Sequence, residues 1–120
     1  MESYTLVLGA SLNESRYANK AIKMLVNKGF KVKAIGKKEG VVDTVAIVTN
    51  KPEFKVIDTV TLYLNPFAQE EYYEYLLKLQ PRRVIFNPGT ENIEFIQLLE
   101  AKGIQVEIAC TLVLLSTNQY

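Results

Sequence analysis

Tyr4-Thr5-Leu6-Val7-Leu8-Gly9-Ala10-Ser11-Leu12-Asn13-Glu14-Ser15-Arg16 is the stretch on which the fold turns. Tyr4 to Leu8 is a short apolar run of the kind a buried parallel strand needs. Gly9 opens a turn. Beyond it Ala18, Ala21, Ile22, Leu25 and Val26 recur at three and four residues, which predicts a helix from Ala18 to Lys28 with one buried face. Ser15 or Asn13 is placed to cap its start and Gly29 to close its end. A strand, a glycine turn and a helix start in that order bring free backbone N–H groups and the positive end of a helix dipole to one point. Such a point suits a phosphate or pyrophosphate.

Working outward, Phe30 to Ile35 alternates apolar and basic residues and stops at Gly36, which predicts a second strand followed by the loop Lys37-Lys38-Glu39-Gly40. Val45 to Val48 reads as a short edge strand bounded by Asn50-Lys51-Pro52. Thr59 to Leu64 is rich in β-branched and aromatic residues and ends at Asn65-Pro66, an N-cap followed by proline in the first helical position. The helix it opens is expected to run to about Leu79, with Tyr72, Tyr73, Leu76 and Leu77 as its apolar stripe. Arg82 to Phe86 is another strand and Asn87-Pro88-Gly89-Thr90 another loop. A helix follows with Ile93, Ile96 and Leu99 facing inward and Glu91 in its first turn, and Ile104 to Ile108 is the last strand. The apolar tail Leu112 to Leu115 has no readable periodicity.

Strands alternating with helices predict parallel strands joined by right-handed crossovers. The expected fold is an α/β, Rossmann-like, three-layer domain: a mostly parallel sheet of five or six strands with helices on both faces. One domain spanning residues 1–120 accounts for the chain, since 120 residues with 48% apolar content are enough for one core. The loops at Gly9, Gly36, Asn65 and Asn87 should then open on the carboxyl edge of the sheet, where such folds bind ligands.

Composition narrows the chemistry. The formal net charge is +1, from 14 basic and 13 acidic residues interspersed along the chain, so nucleic acid and anionic membranes are not expected partners. No apolar run reaches the length of a membrane span and no charged leader precedes the first strand, so a cytoplasmic protein is expected. Cys110 is the single cysteine and histidine is absent. Internal disulfides, thiolate metal clusters and phosphohistidine chemistry are thereby excluded, and no catalytic or metal-ligating residue is assigned. Cys110 reads as a small buried residue after the last strand, with exchange against a ligand thiol as the sharper alternative.

The full dinucleotide fingerprint has three glycines and an acidic residue after the second strand. Here only the first glycine is kept. Ser11 stands where the second belongs, and Gly36-Lys37-Lys38 occupies the acidic position. Lysines at that point favour a phosphorylated ribose, as in coenzyme A or NADP, over the bare ribose of NAD. Arg16 and Lys20 add positive charge, and Tyr17 is placed to stack on adenine or cover the pyrophosphate, or else to pack the first helix.

With these residues in view the chain resembles the CoA-binding protein family, small single-domain relatives of the CoA-binding domain of succinyl-CoA synthetase α subunits and acyl-CoA synthetases. The resemblance covers nearly the whole chain. It rests on Leu8-Gly9-Ala10-Ser11 with Asn13 and Arg16-Tyr17, on Gly36-Lys37-Lys38-Glu39-Gly40, on Asp58 to Pro66, on Phe86 to Asn92, and on Ala109-Cys110-Thr111-Leu112. It implies that the turn Gly9, Ala10, Ser11, Asn13, Arg16 holds the CoA pyrophosphate, that the loop Gly36, Lys37, Lys38 meets the adenosine end, and that Asn65 and Pro66 line the cleft. Many relatives have a proline-containing turn after the second strand, which this chain lacks. The synthetases also need a phosphorylatable histidine and partner domains, so ligase activity by this chain alone is not expected.

The leading expectation is a CoA or acyl-CoA binding module, non-catalytic by itself, that senses or presents the cofactor. The alternatives are an NADP-dependent oxidoreductase using tyrosine or lysine as its acid, and a nucleotide-free protein-interaction domain. A protein partner or a homodimer is compatible with the tyrosine-rich helix and with Leu112 to Leu115.

Overall fold

The computed structural model describes residues 2–120. Its strands are β1 (Tyr4–Ala10), β2 (Val32–Gly36), β3 (Gly40–Val42), β4 (Val45–Val48), β5 (Ile57–Leu62), β6 (Arg83–Phe86) and β7 (Gln105–Ile108). They form one sheet in the order β3-β4-β2-β1-β5-β6-β7, parallel except for β3. The helices are α1 (Tyr17–Asn27), α2 (Pro66–Gln69), α3 (Tyr73–Leu79), α4 (Ile93–Ala101) and α5 (Thr111–Ser116).

The seventh strand is β3, which lies in what reads as loop. Val45 to Val48 is not the edge: β4 pairs in parallel with β2, Ala34 opposite Ile47, and β3 covers its other side. The hairpin turns on Asp43 and Thr44, with φ of 46° and 71°. Two consecutive left-handed residues match the twist of a two-residue hairpin, which more commonly uses Asn-Gly or Asp-Gly. Asp-Thr is a weak signal for it, and a hairpin thus joins β3 to β4 where the sequence before Val45 reads only as a loop.

Side-chain alternation along β1 divides the core. Leu6 and Leu8 are fully buried on one face with Val60, Leu62 and Phe86, under Leu76 of α3 and Phe95 and Leu99 of α4. Val7 faces the other way with Ala34 and Ile47, under Ala18, Ile22 and Leu25 of α1 and Leu115 of α5. Each such large apolar side chain contributes roughly 1.5–3 kcal/mol when fully buried.

Three local expectations are corrected. The helix after Asn65 is broken, with a 3-10 turn at Glu70–Tyr72 between α2 and α3. On α4 Leu99 is buried and Ile96 packs against the core as expected, but Phe95 takes the inward place expected of Ile93, which is 75% exposed at the helix start. Glu91 precedes that helix, and its carboxylate accepts from the Gly89 N–H at 2.9 Å. The unreadable tail is α5, whose Thr111 and Leu115 are buried. Among the described residues no helix is long and apolar enough to cross a membrane.

Candidate functional site

Gly9 has φ of +97°, and a Cβ there would stand 2.9 Å from the carbonyl carbon of Tyr63 and 3.1 Å from a Leu64 methyl. The turn therefore leaves β1 pressed against the end of β5, with no room for a side chain. Gly36 is held just as tightly: a Cβ would collide with the Ala10 carbonyl oxygen. Its role is to let the turn cross the end of β2. Leu12 then lies over Gly40, within 2.6 Å of where a Cβ would be.

Side chains of the turn lock one another. Ser11 Oγ accepts from the Asn13 N–H at 3.1 Å, and Asn13 Oδ1 accepts from the Ser15 N–H at 2.9 Å and from the Ser15 hydroxyl at 2.7 Å. Neither Ser15 nor Asn13 caps α1. The N-cap position is Arg16, with extended backbone and no side-chain bond to the helix. Asn13 and Ser15 satisfy each other a turn earlier, which is why they are unavailable. The helix start thus keeps N–H groups that no side chain covers, with the dipole behind them.

Beneath this open end sits Asn19, a residue the sequence pattern passes over. It is 1% exposed, its Nδ2 donates to the Ser11 carbonyl at 3.0 Å, and its Oδ1 is buried without a partner. An amide on the inward face of an otherwise apolar stripe is the signal that points to it, because such a group is placed there only when something must be bonded. Tyr17 does not pack the helix. It is 68% exposed, with the Lys20 ammonium 5.7 Å from its ring centroid. Arg16, Lys37 and Lys38 are exposed, and none forms an ion pair among the described residues.

On the far side of β1, Asn65 caps α2 through Oδ1, which accepts from the Ala68 N–H at 2.8 Å, and Pro66 is the first helical residue. Asn87 is buried at the end of β6 and makes three bonds: Nδ2 donates to the Thr61 hydroxyl and the Leu62 carbonyl, and Oδ1 accepts from the Thr111 N–H. It ties the ends of β5 and β6 to the start of α5. Gln69, also buried, donates to the Leu64 and Thr90 carbonyls and accepts from Asn92. These bonds hold the loops after β5 and β6 rigidly side by side.

Tyr63 lies at this edge with its hydroxyl buried and unbonded. Burial pushes the phenol up to about 12, against the pull of the Thr61 and Thr111 hydroxyls, and the nearby Cys110 and Tyr120 push it further up. The two threonine hydroxyls are bonded to each other at 2.8 Å instead. Cys110 is half-buried at the N-cap of α5. A separate groove of about 620 Å³ runs beside α3, lined by Lys51, Phe54, Glu71, Tyr75 and Lys78 among others, and neither the Gly9 to Arg16 turn nor the Gly36 to Lys38 loop contributes to it.

The fold brings the turn after β1, the loop after β2 and the Asn65 loop to one edge, because the strands that carry them are parallel neighbours. A mostly parallel sheet with an open-capped helix after its central strand defines a Rossmann-like α/β domain. A family model described as a CoA binding domain matches residues 4–116. The chain belongs to that family. Among solved structures, the crystal structure of an uncharacterized protein is 43% identical with a TM-score of 0.95, covering 100% of this chain and 99% of that one. A hypothetical protein from Pyrococcus horikoshii is 26% identical with a TM-score of 0.81, over 91% of this chain and 78% of its own. A Thermus thermophilus protein at 22% identity and a TM-score of 0.86, over 99% and 91%, shares the fold. No curated protein matched.

Proposed function

We propose that this protein binds coenzyme A or an acyl-CoA at the carboxyl edge of its sheet and, without catalysing a reaction itself, senses or presents that cofactor in the cytoplasm. The observation that carries the reading is the uncapped start of α1 above the locked Gly9 to Arg16 turn, in a chain whose family is defined by CoA binding. In this reading Gly9 and Ala10 give the pyrophosphate its close approach, and Ser11 and Asn13 shape the turn. The first N–H groups of α1 and the Arg16 guanidinium supply charge and hydrogen bonds. Tyr17 offers its exposed ring to the adenine or covers the pyrophosphate. Lys37 and Lys38, unpaired beyond Gly36, take the ribose 3′-phosphate, while Asn65 and Pro66 form the wall beside the pantetheine arm.

Thermal shifts on ligand-stripped protein with CoA, 3′-dephospho-CoA, acetyl-CoA, NAD and NADP at equal concentration test it. A ligand at about a hundred times its Kd stabilises by about 2.7 kcal/mol, several degrees in Tm for a domain of this size. CoA is expected to stabilise, dephospho-CoA to do so at roughly tenfold higher concentration, and Lys37→Ala with Lys38→Ala to erase that difference. A stronger response to NADP than to CoA would favour an oxidoreductase. No response from any of them would leave an interaction domain, with a protein partner or a second copy as its ligand.

A further inference from the structure

Beyond β2 the chain runs into Lys37, Lys38 and Glu39, all exposed, whereas Lys51 after β4 reaches across to the Glu71 carbonyl at 2.6 Å. On the β5, β6 and β7 side the exposed side chains include three large apolar ones: Phe67 at 86%, Ile93 at 75% and Ile108 at 62%. Each follows or ends a successive strand. They share a face of the sheet, since α2 leads into α3 and α4 packs on the Leu6 side of the core, and Ile108 is registered opposite Phe86, whose side chain belongs to that same core. Phe67 and Ile93 sit on segments joined rigidly by the Asn92 bonds to Gln69 and Tyr73, at 3.0 and 2.9 Å.

Resting on the CoA reading above, we infer that Phe67, Ile93 and Ile108 form a platform for the acyl group of an aliphatic acyl-CoA thioester, so that a medium-chain acyl-CoA binds better than free CoA. Strand order sets the direction of the ligand. With the phosphorylated ribose drawn to Lys37 and Lys38 beyond β2 and the pyrophosphate over α1, the pantetheine arm runs the other way, across the ends of β5 and β6. Strands lie about 4.8 Å apart, so the ends of β6 and β7 are about 10 and 14 Å from that of β1. The thioester end of the ligand is thereby delivered to the apolar half. An edge with an unpaired lysine pair beyond β2 and exposed Phe67, Ile93 and Ile108 after β5, β6 and β7 matches a molecule with a phosphorylated nucleotide at one end and a hydrocarbon at the other. Isolated apolar side chains are ordinary on a surface; here Phe67 and Ile93, in helix starts joined through Asn92, and Ile108 at the end of β7 follow three neighbouring strands on one face.

Titration calorimetry of the full chain with CoA, acetyl-CoA, butyryl-CoA and octanoyl-CoA decides it. Each methylene removed from water is worth up to about fourfold in affinity. Octanoyl-CoA is expected to bind at least tenfold tighter than CoA, and Phe67→Ser or Ile93→Ser to remove most of that gain while leaving the CoA affinity unchanged. Equal affinities for all four ligands, or a serine variant that weakens CoA and octanoyl-CoA alike, would overturn the platform and leave CoA binding intact. Absence of binding by all four would overturn both readings. The three side chains are exposed, so the variants keep the wild-type Tm; Phe67→Leu, which retains an apolar side chain, is expected to keep the chain-length gain.

Discussion

A Cβ at Gly9 would need both a strained left-handed backbone and space already held by Tyr63 and Leu64. Gly9→Ala is accordingly expected to destabilise by about 2–4 kcal/mol, read from the urea midpoint at unchanged slope. Tyr63 behaves oppositely. Its buried hydroxyl has no partner, so Tyr63→Phe removes an unsatisfied group and should be neutral or stabilising by about 1 kcal/mol. A loss of more than 1 kcal/mol would mean that the hydroxyl is bonded after all. The same variant tests the pH dependence. The folded phenol ionises at about 12 against 10.0 for the ordinary group. Its contribution is whole below the ordinary value and is lost as pH rises from there through about 12, so the wild type should lose more stability across that window than Tyr63→Phe does. Gly9 is visible in the sequence because a glycine after an apolar run has few other uses. Tyr63 and Asn19 are not, since burial without a partner depends on which atoms other segments bring alongside.

Helix starts show how local and tertiary preferences divide. Asn65-Pro66 caps α2 as its sequence says, because both groups act within one turn. At α1 the same kind of reasoning assigns the cap to Ser15 or Asn13, and fails: those side chains close the preceding turn, leaving Arg16 at the N-cap. Comparing Arg16→Ser with Arg16→Ala exposes the consequence. Both remove the guanidinium, but only serine can cap the helix. The serine variant should be more stable than the alanine variant by about 1 kcal/mol in chemical unfolding, and should bind CoA more weakly, since its hydroxyl competes for the N–H groups offered to phosphate. Equal affinities for the two would count against the open helix start as the anion site. The β3 hairpin escaped the sequence reading for a related reason: Asp43-Thr44 adopts its left-handed pair only because β4 needs a neighbour.

Across the whole molecule, the Asp58–Arg82 pair links the start of β5 to the residue before β6, with bonds of 2.9 and 3.0 Å. The Arg82 hydrogen bonds hold the Asp58 carboxyl below its ordinary 3.8. The pair's contribution is therefore full above that value and lost as pH falls through the lowered one, and Asp58→Asn should show a shallower acid loss of stability in urea melts. Both groups are solvent-accessible, so the difference should stay under about 1 kcal/mol. Buried Arg83 reaches further, bonded to Glu107 of β7 at 3.1 Å and to Thr59 of β5, with its guanidinium 4.6 Å from the Tyr120 ring. These contacts join residues far apart in the chain and leave no trace in any local pattern.

Periodicity and glycine placement by themselves determined that this chain is an α/β domain with its loops on one edge, because each of those signals acts over a few residues; a cap did so only where, as at Asn65, no competing turn claimed the side chain. They also carried the family, through the order of the Gly9, Gly36, Asn65 and Asn87 blocks. The tertiary structure alone decided the rest: that β4 lies inside the sheet, that Gly36 serves packing against Ala10, that Asn87 is a buried tie between strands, and that Phe67, Ile93 and Ile108 stay exposed. Each of these depends on contacts between segments distant in sequence, where strand pairing sets which side chains meet and which remain in water.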